Sequence, residues 1–269
     1  MTTGSSGPGG PLAGKTVIVS GVGAGLGHQV AAAVLRDGGN AVLGARTEAN
    51  LAKAAAELDP EGARTAYRST DIGDEGQCEA LAALARERFG AVDAVVHVAA
   101  WDSHFGGLED ADFDTWRQVL DVNLLGTLRM TRACLPALKE RGGSVVIIGT
   151  QSAVAAPTEV RQAAYAASKG ALTSAMYSLA RELGPHRIRV NTVLPGWMWG
   201  PPVQAYVQFA AQTEGVPEEE VLARLTERMA LPELATDGDV ADAAVFLASD
   251  RARAITGQQL LVNAGELMR

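Results

Sequence analysis

The sequence predicts a protein of the α/β class, with a doubly wound, largely parallel sheet of about seven strands and a short helical lid insertion. Short β-branched runs alternate with alanine-rich helical stretches from residue 15 onward. The runs are mostly apolar without strict alternation, which indicates strands buried on both faces. Alternating strands and helices favour parallel pairing with right-handed crossovers. Strands are expected at residues 15–20, 40–45, 63–69, 92–98, 144–149, 187–193 and 258–263.

Helical patterns separate these strands, beginning with "GHQVAAAVLRDG", "NLAKAAAEL" and "EGQCEALAALARERF". Residues 1–12 are rich in glycine, serine and proline and are expected to form a flexible tail. We see no linker that divides residues 13–269, so these predict a single domain. The alternation stops after "LPG", and residues 197–235 predict a helical lid over the carboxyl ends of the strands, where ligands bind in such sheets.

Composition narrows the classes of function. The 269 residues are 47% hydrophobic and carry a formal net charge of −8, which argues against nucleic-acid binding because phosphates require a basic surface. No apolar run reaches the roughly 18–20 residues needed to cross a bilayer. Two distant cysteines and scattered histidines predict no metal site, and we expect a cytoplasmic location.

A glycine-rich turn follows the first predicted strand and opens the first predicted helix. In "SGVGAGLG" the glycines allow backbone amides to approach a pyrophosphate, and the positive end of a helix that starts near Leu26 faces that charge. Because the turn lies between a strand and a helix, it predicts a Rossmann-like dinucleotide site. The predicted contacts are Gly21, Gly23, Gly25, Leu26 and Gly27.

The end of the second strand bears on which dinucleotide binds. An NAD site usually has an acid about twenty residues after the glycine turn. Here that position is Ala45, and Arg46 follows it, so a guanidinium is available for a 2′-phosphate. The alternatives are that Arg46 is a solvated loop residue and that Glu48 reaches a ribose hydroxyl. NADP(H) is therefore preferred, and NAD(H) stays open.

The stretch "AAYAASKGAL" places Tyr165 four residues before Lys169, on one helical face. Alone, such a pair is ordinary. Together with "SGVGAGLG", "TDI", "VDAVVHVAA", "DVNLLGTL" and "RVNTVLPG" in this order, it strongly resembles the short-chain dehydrogenase/reductase family, over residues 13–265. The resemblance implies a single-domain oxidoreductase of about 250 residues that transfers a hydride between a nicotinamide dinucleotide and an alcohol or ketone.

The resemblance also implies roles for individual residues. Tyr165 is the expected acid/base, and Lys169 is expected to lower its pKa and to hold the nicotinamide ribose. Asn123, in "DVNLLG", is expected to anchor a water that relays the proton outward. The family also implies that further positions contact the cofactor: Asp71, Ile72, Ala99, Ala100, Pro195, Gly196 and Met198.

The hydroxyl that orients the substrate oxygen is ambiguous. The family has a serine thirteen residues before the tyrosine, and this count gives Ser152. Counting forward along the fifth strand gives Thr150 instead, because the following loop is lengthened. We favour Ser152, with Thr150 as the alternative. The family's Asn-Asn-Ala-Gly reads "HVAA" here, so His97 replaces an asparagine and is expected to be a buried hydrogen-bonding residue.

Aromatic residues flank the expected nicotinamide pocket. Trp101 and Asp102 follow the fourth strand, and Trp197 and Trp199 begin the predicted lid. The three tryptophans favour an apolar or cyclic secondary alcohol or ketone as substrate, although they also fit packing of the lid against the core. NAD-dependent alcohol dehydrogenation is the alternative, and a non-catalytic dinucleotide-binding regulator is a remote one. The family further implies a homo-oligomer, a tetramer or a dimer.

Overall fold

A computed structural model of the chain describes residues 9–103, 105–157 and 160–269. Seven strands form one parallel sheet, and two short strands pair separately. The first strand pairs with the second and the fourth, so the strand order reverses beside it. In chain order the strands are β1 Thr16–Ser20, β2 Asn40–Ala45, β3 Thr65–Ser69, β4 Ala94–His97, β5 Gly143–Ile148, β6 Ile188–Pro195, β7 Met198–Trp199, β8 Ala235–Thr236 and β9 Gln259–Val262.

The order across the large sheet is β3-β2-β1-β4-β5-β6-β9, which confirms the predicted doubly wound sheet of seven strands. Helices flank it on both faces. They are α1 Leu26–Arg36, α2 Glu48–Leu58, α3 Glu75–Phe89, α4 Phe113–Leu120, α5 Thr127–Arg141, α6 Ala163–Leu183, α7 Pro201–Glu214, α8 Glu218–Thr226 and α9 Asp237–Ala248.

The core lies in two layers, one on each face of the sheet. Val17 and Val19 pack in the layer with α1, α2 and α9, whereas Ile18 packs in the layer with α3, α5 and α6. All three side chains are fully buried. Burying such a side chain contributes roughly 1.5–3 kcal/mol, so successive apolar residues are stabilising on both faces. This explains why the strands lack a polar face in the sequence.

The reversal of strand order creates a crevice at the carboxyl ends of β1 and β4, the usual ligand position in open α/β sheets. The loops after these two strands are joined by hydrogen bonds, since the N–H groups of Val98 and Ala99 both donate to Ser20 O at 2.8 Å. The glycine turn and the "HVAA" segment therefore line the same crevice.

Two features refine the sequence prediction. Leu12, assigned to the tail, is fully buried, and its N–H donates to Asp37 O at 3.0 Å, so the packed chain includes it; residues 1–8 of that tail lie outside the described residues. The helix containing "DVNLLG" has a π-helical turn at Asp121–Gly126, which separates α4 from α5. Neither was predicted.

The predicted lid segment contains α7 and α8, and β7 pairs with β8 at its base. Val207, Val221 and Leu225 form a small apolar cluster of its own, separate from the two main layers. Across the part of the chain that the structure describes, no helix has both the length and the apolar character to cross a membrane.

Candidate active site

The glycine turn after β1 is built so tightly that side chains are excluded at two positions. Gly21 has φ of +106°, and a Cβ there would lie 2.2 Å from Ala99 N. A Cβ on Gly27 would lie 2.2 Å from Gly21 O. Gly23, in contrast, faces open space, and a Cβ there would have no neighbouring atom within 4 Å. Gly21 and Gly27 thus make the turn, and Gly23 leaves its surface free for a ligand.

The first turn of α1 presents unblocked backbone donors. Its N-cap residue, Gly25, supplies no side-chain hydrogen bond, and the first turn contains no acidic residue. Amino ends of helices carry partial positive charge and bind phosphate groups. This geometry fits the pyrophosphate of a dinucleotide.

One acid at the edge of this turn was missed by sequence reasoning. A Cβ on Gly25 would lie 3.1 Å from Asp237 Oδ2, and one on Gly200 would lie 2.7 Å from Asp237 Oδ1. Burial raises the pKa of Asp237, which reduces its tendency to carry the charge that would oppose a phosphate. No local motif signals this contact, because Asp237 enters from the distant start of α9.

The residues predicted at the adenosine end lie past the ends of β2 and β3. Arg46 is exposed, and its carbonyl accepts a hydrogen bond from Ser69 Oγ at 2.8 Å. Asp71 is exposed and its Oδ1 accepts from Gly73 N at 2.8 Å, so it also stabilises a turn. Ile72 is buried.

Asn123 joins the loop after β4 to the helix that carries Tyr165. Its Oδ1 accepts from Trp101 N at 2.7 Å, and its Nδ2 donates to Trp101 O at 3.1 Å and to Ser168 Oγ at 3.0 Å. Ser168 Oγ in turn donates to Tyr165 O at 2.7 Å. The π-helical turn brings the fully buried Asn123 to this position. The side chain thus fixes both the loop and α6.

Tyr165 and Lys169 lie one turn apart on α6, at the carboxyl ends of the central strands. Lys169 Nζ is 5.8 Å from the centroid of the Tyr165 ring and donates to Ile148 O, at the end of β5, at 2.7 Å. The Thr150 hydroxyl lies close enough to the Tyr165 phenol to lower its pKa, although burial outweighs this effect. A phenol, a hydroxyl and a buried ammonium group therefore meet in one place.

The pKa values in this cluster are shifted by burial. Burial lowers the pKa of Lys169 to about 8, and the charge of Asp102 opposes that shift. Burial and then the Asp102 charge raise the pKa of Tyr165, against a smaller opposite effect of Thr150. The expectation that Lys169 sets a lowered tyrosine pKa is therefore corrected for this structure: the net shift is upward, because desolvation of the phenolate dominates.

The two candidates for the orienting hydroxyl are placed differently. Thr150, two residues after the end of β5, is buried, and its hydroxyl lowers the pKa of Tyr165. Ser152 lies two residues further along the chain, in a short 3₁₀ turn, and its N–H donates to Thr150 Oγ1 at 3.2 Å. The preference for Ser152 does not match this placement, because the extra residues in the loop come after Thr150 and leave the strand register unchanged.

The aromatic residues divide between the crevice and the lid. Trp197 stacks on Tyr206 with ring centroids 5.0 Å apart, and both Trp197 and Trp199 pack against the lid cluster. Trp101, bonded to Asn123, is partly buried beside α6. Between crevice and lid, Gly196 N donates to Val262 O at 3.4 Å. Pro195 ends β6 and Met198 begins β7.

Other polar groups near the site have structural roles. His97 is buried, and its Nε2 lies 2.9 Å from Thr131 Oγ1. Burial and then the Lys169 charge lower its pKa to about 3, so it is neutral at physiological pH. Cys78 and Cys134 are buried thiols, and burial raises the pKa of both. Within residues 9–103, 105–157 and 160–269, no group of three or more potential metal ligands occurs.

Comparisons with known proteins agree with this architecture. The family model that matches residues 21–266 is described as enoyl-(acyl carrier protein) reductase, adh_short_C2. The L-fucose dehydrogenase of Bos taurus is 33% identical, with 94% of this chain and 89% of that protein covered. The D-beta-hydroxybutyrate dehydrogenase of Cupriavidus necator is 29% identical, with 91% and 95% covered. A short-chain type dehydrogenase/reductase structure from Mycobacterium ulcerans superposes with a TM-score of 0.83 at 30% identity, covering 95% and 90%.

Proposed function

The chain belongs to the short-chain dehydrogenase/reductase family, a family of oxidoreductases, and on that basis we propose that it interconverts a secondary alcohol and a ketone with NADP(H). The observation that carries the proposal is the position of Lys169 one helical turn from Tyr165, with Lys169 Nζ 5.8 Å from the centroid of the phenol ring and 2.7 Å from Ile148 O. These groups lie at the carboxyl ends of the strands, beside the glycine turn.

In this proposal Tyr165 exchanges a proton with the substrate oxygen. In reduction the phenol donates, and the raised pKa of Tyr165 keeps it protonated at neutral pH. In oxidation the phenolate accepts the proton of the alcohol, and the raised pKa of Tyr165 makes this starting form less populated at neutral pH. Thr150 orients the substrate oxygen, with Ser152 as the alternative.

Lys169 and Asn123 support Tyr165. Lys169 is held by Ile148 O and, with a pKa of about 8, exchanges protons near neutral pH. Asn123 fixes the loop and helix on either side of the phenol and leads toward a water that passes the proton outward. Both residues therefore help to return the proton to Tyr165 between turnovers.

The described residues fit a nicotinamide dinucleotide, which supplies or accepts the hydride when bound. The turn that excludes a Cβ at Gly21 and Gly27 but leaves space at Gly23, together with the unblocked amino end of α1, suits a pyrophosphate. The residues that we propose to contact the cofactor are Gly21, Gly23, Gly25, Leu26, Gly27, Arg46, Asp71, Ile72, Ala99, Ala100, Tyr165, Lys169, Pro195, Gly196 and Met198.

Arg46 supports the preference for NADP(H). It is exposed directly after Ala45, where an NAD site would carry an acid, so its guanidinium is free to bind a 2′-phosphate. Arg46→Asp should weaken NADPH binding at least about tenfold and leave NADH binding nearly unchanged. Lys53→Ala, which removes an exposed cation from the following helix, is the matched control. Equal losses for both cofactors would favour the NAD-dependent alternative.

The substrate proposed is apolar or cyclic. Trp101 is the aromatic residue best placed to contact it, since Trp197 and Trp199 pack mainly against the lid. Aromatic walls of this kind bury large apolar areas. We keep all three tryptophans in the proposed substrate-binding region. In this proposal the segment 197–235 acts as a lid that closes the region.

Oxidation of NADPH and NADH with a panel of cyclic ketones tests the proposal directly. We expect turnover of at least one ketone, with NADPH preferred. Dinucleotide binding without turnover of any ketone or alcohol would favour the non-catalytic regulator instead. We further propose a small-molecule substrate, a cytoplasmic location and a homo-oligomer, a tetramer or a dimer, whose mass light scattering can measure.

A further inference from the structure

Asp102 is held at the mouth of the candidate active site by its backbone. Trp101, the residue before Asp102, makes two hydrogen bonds to the Asn123 side chain through its backbone. Gln162, which directly precedes α6, donates from its side chain to Asp102 O. The loop after β4 is thus tied to the start of the helix that carries Tyr165.

A second set of bonds closes the same loop. Gly106 N donates to Arg161 O at 2.8 Å, and Ala163 N donates to Gly106 O at 3.3 Å. These bonds fix the far end of the loop against the first residues of α6. Asp102 therefore lies between two anchored points, Trp101 and Gly106, and its position relative to Tyr165 is determined by the fold.

The Asp102 carboxylate lies near enough to the reacting groups for its charge to act on them. Its negative charge acts on both Tyr165 and Lys169, and among the described residues it is the one carboxylate whose charge shifts either pKa. The side chain is exposed, and no described residue donates a hydrogen bond to its oxygens. It is an available acceptor at the mouth of the site.

The charge of Lys169 is not directed toward a ligand beside Asp102. Lys169 is buried and its Nζ is directed to Ile148 O. Arg161 lies at the other end of the loop, where its Cδ is 3.9 Å from a Cβ position on Gly107. An anionic substrate would therefore meet the Asp102 carboxylate at the mouth of the site, and among the described residues neither Lys169 nor Arg161 forms an ion pair with it.

We infer that Asp102 determines the charge class of the substrate: it admits uncharged molecules that carry a hydroxyl near the reacting carbon and rejects carboxylates and phosphates. A hydroxyl donates to the carboxylate in a charge-assisted hydrogen bond. A second negative charge beside this carboxylate is repelled. The inference rests on the proposed function, since it concerns the substrate of the same site.

Dead-end binding tests the inference without turnover. Calorimetry on the NADPH-loaded enzyme would measure cyclohexanol, trans-cyclohexane-1,2-diol and 3-hydroxycyclohexanecarboxylate, none of which can react with reduced cofactor. We expect the diol to bind at least about threefold more tightly than cyclohexanol and the carboxylate about tenfold more weakly. Asp102→Asn should reduce the penalty for the carboxylate to about threefold or less.

Glu109→Gln is the matched control, because Glu109 is exposed on the same segment and its substitution removes the same unit of charge. It should leave all three affinities unchanged. A carboxylate penalty that persists in Asp102→Asn, an equal change in Glu109→Gln, or binding of none of the three probes would overturn the inference. Failure of the proposed function has a different signature: NADPH binds but no ketone is reduced, whatever the order of the probe affinities, or no dinucleotide binds and no loaded enzyme forms.

Discussion

The two ends of the crevice differ in the groups that form them: backbone at the phosphate end and side chains at the chemical end. At the phosphate end, neighbouring backbone atoms lie so close to Gly21 and Gly27 that neither position can hold a side chain. The helix α1 there begins without a capping side chain. At the chemical end, side chains from α6, the π-helical turn and the loop after β5 come together around Tyr165. A site made of backbone needs a local sequence pattern, whereas a site made of side chains needs the whole fold to bring its parts together.

That difference explains how far the sequence could predict each part. The strands were predicted to within a few residues, because apolar runs buried on two faces have few alternative structures. The glycine turn could be identified for the same local reason. Thr150 and Ser152 could not be distinguished, because counts from the strand and from the tyrosine cross a loop of unusual length.

Contacts between distant segments could not be predicted. Asp237 reaches the glycine turn from α9, and Gln162 bonds the loop of Asp102 through a backbone carbonyl. Neither leaves a periodic or compositional signal. The π-helical turn that positions Asn123 also lacks one, since "DVNLLG" reads as ordinary helix.

The largest expected effect separates the two ends. Tyr165→Phe should lower kcat about 10³-fold, because it removes the proton donor while keeping the ring. The dissociation constant for NADPH should change less than about threefold, because the glycine turn and its backbone donors are untouched. Steady-state kinetics and a binding titration on the same protein measure both. A comparable loss of cofactor affinity would break the proposed division between the ends.

The next effect concerns the buried Lys169. Its pKa is about 8 when folded and 10.5 ordinarily, so between these pH values the unfolded chain binds a proton that the folded chain lacks. The free energy of unfolding therefore rises with pH across this window, by up to about 3 kcal/mol. Relative to Lys169→Met, the unmodified protein should gain stability by this amount between pH 8 and 10.5.

Urea unfolding across that pH range measures the gain. Lys53→Met, at an exposed position on α2, should show a constant difference from the unmodified protein. If the difference for Lys169→Met is also constant with pH, the buried ammonium does not have the lowered pKa.

A smaller effect sharpens the description of the chemical end. Thr150→Val should lower kcat/KM about 30-fold, because it removes the hydroxyl beside the Tyr165 phenol while keeping the side-chain shape. Ser152→Ala should lower it less than about threefold, since its hydroxyl makes no bond to the phenol in this arrangement. The reverse order, measured with one ketone and both variants, would restore Ser152 as the orienting residue.

The smallest effect sharpens the description of the phosphate end. Gly23→Ala should weaken cofactor binding about tenfold, because a methyl group enters the space left for the pyrophosphate. The melting temperature should stay the same, since no atom lies within 4 Å of the new Cβ. Gly184→Ala, which also meets open space, is the control and should change neither property. A lowered melting temperature for Gly23→Ala would show that this glycine is needed for folding.

The most direct test of the central claim is a fluorescence titration of the unmodified protein with NADPH and with NADH. Tryptophans near the crevice, Trp101 among them, should transfer energy to a bound nicotinamide. We expect saturable quenching by both cofactors, with NADPH bound about tenfold more tightly because of Arg46. Tighter binding of NADH would show that Arg46 is a solvated loop residue without a role in cofactor choice. Binding of neither cofactor would contradict the assignment of the glycine turn as a cofactor site.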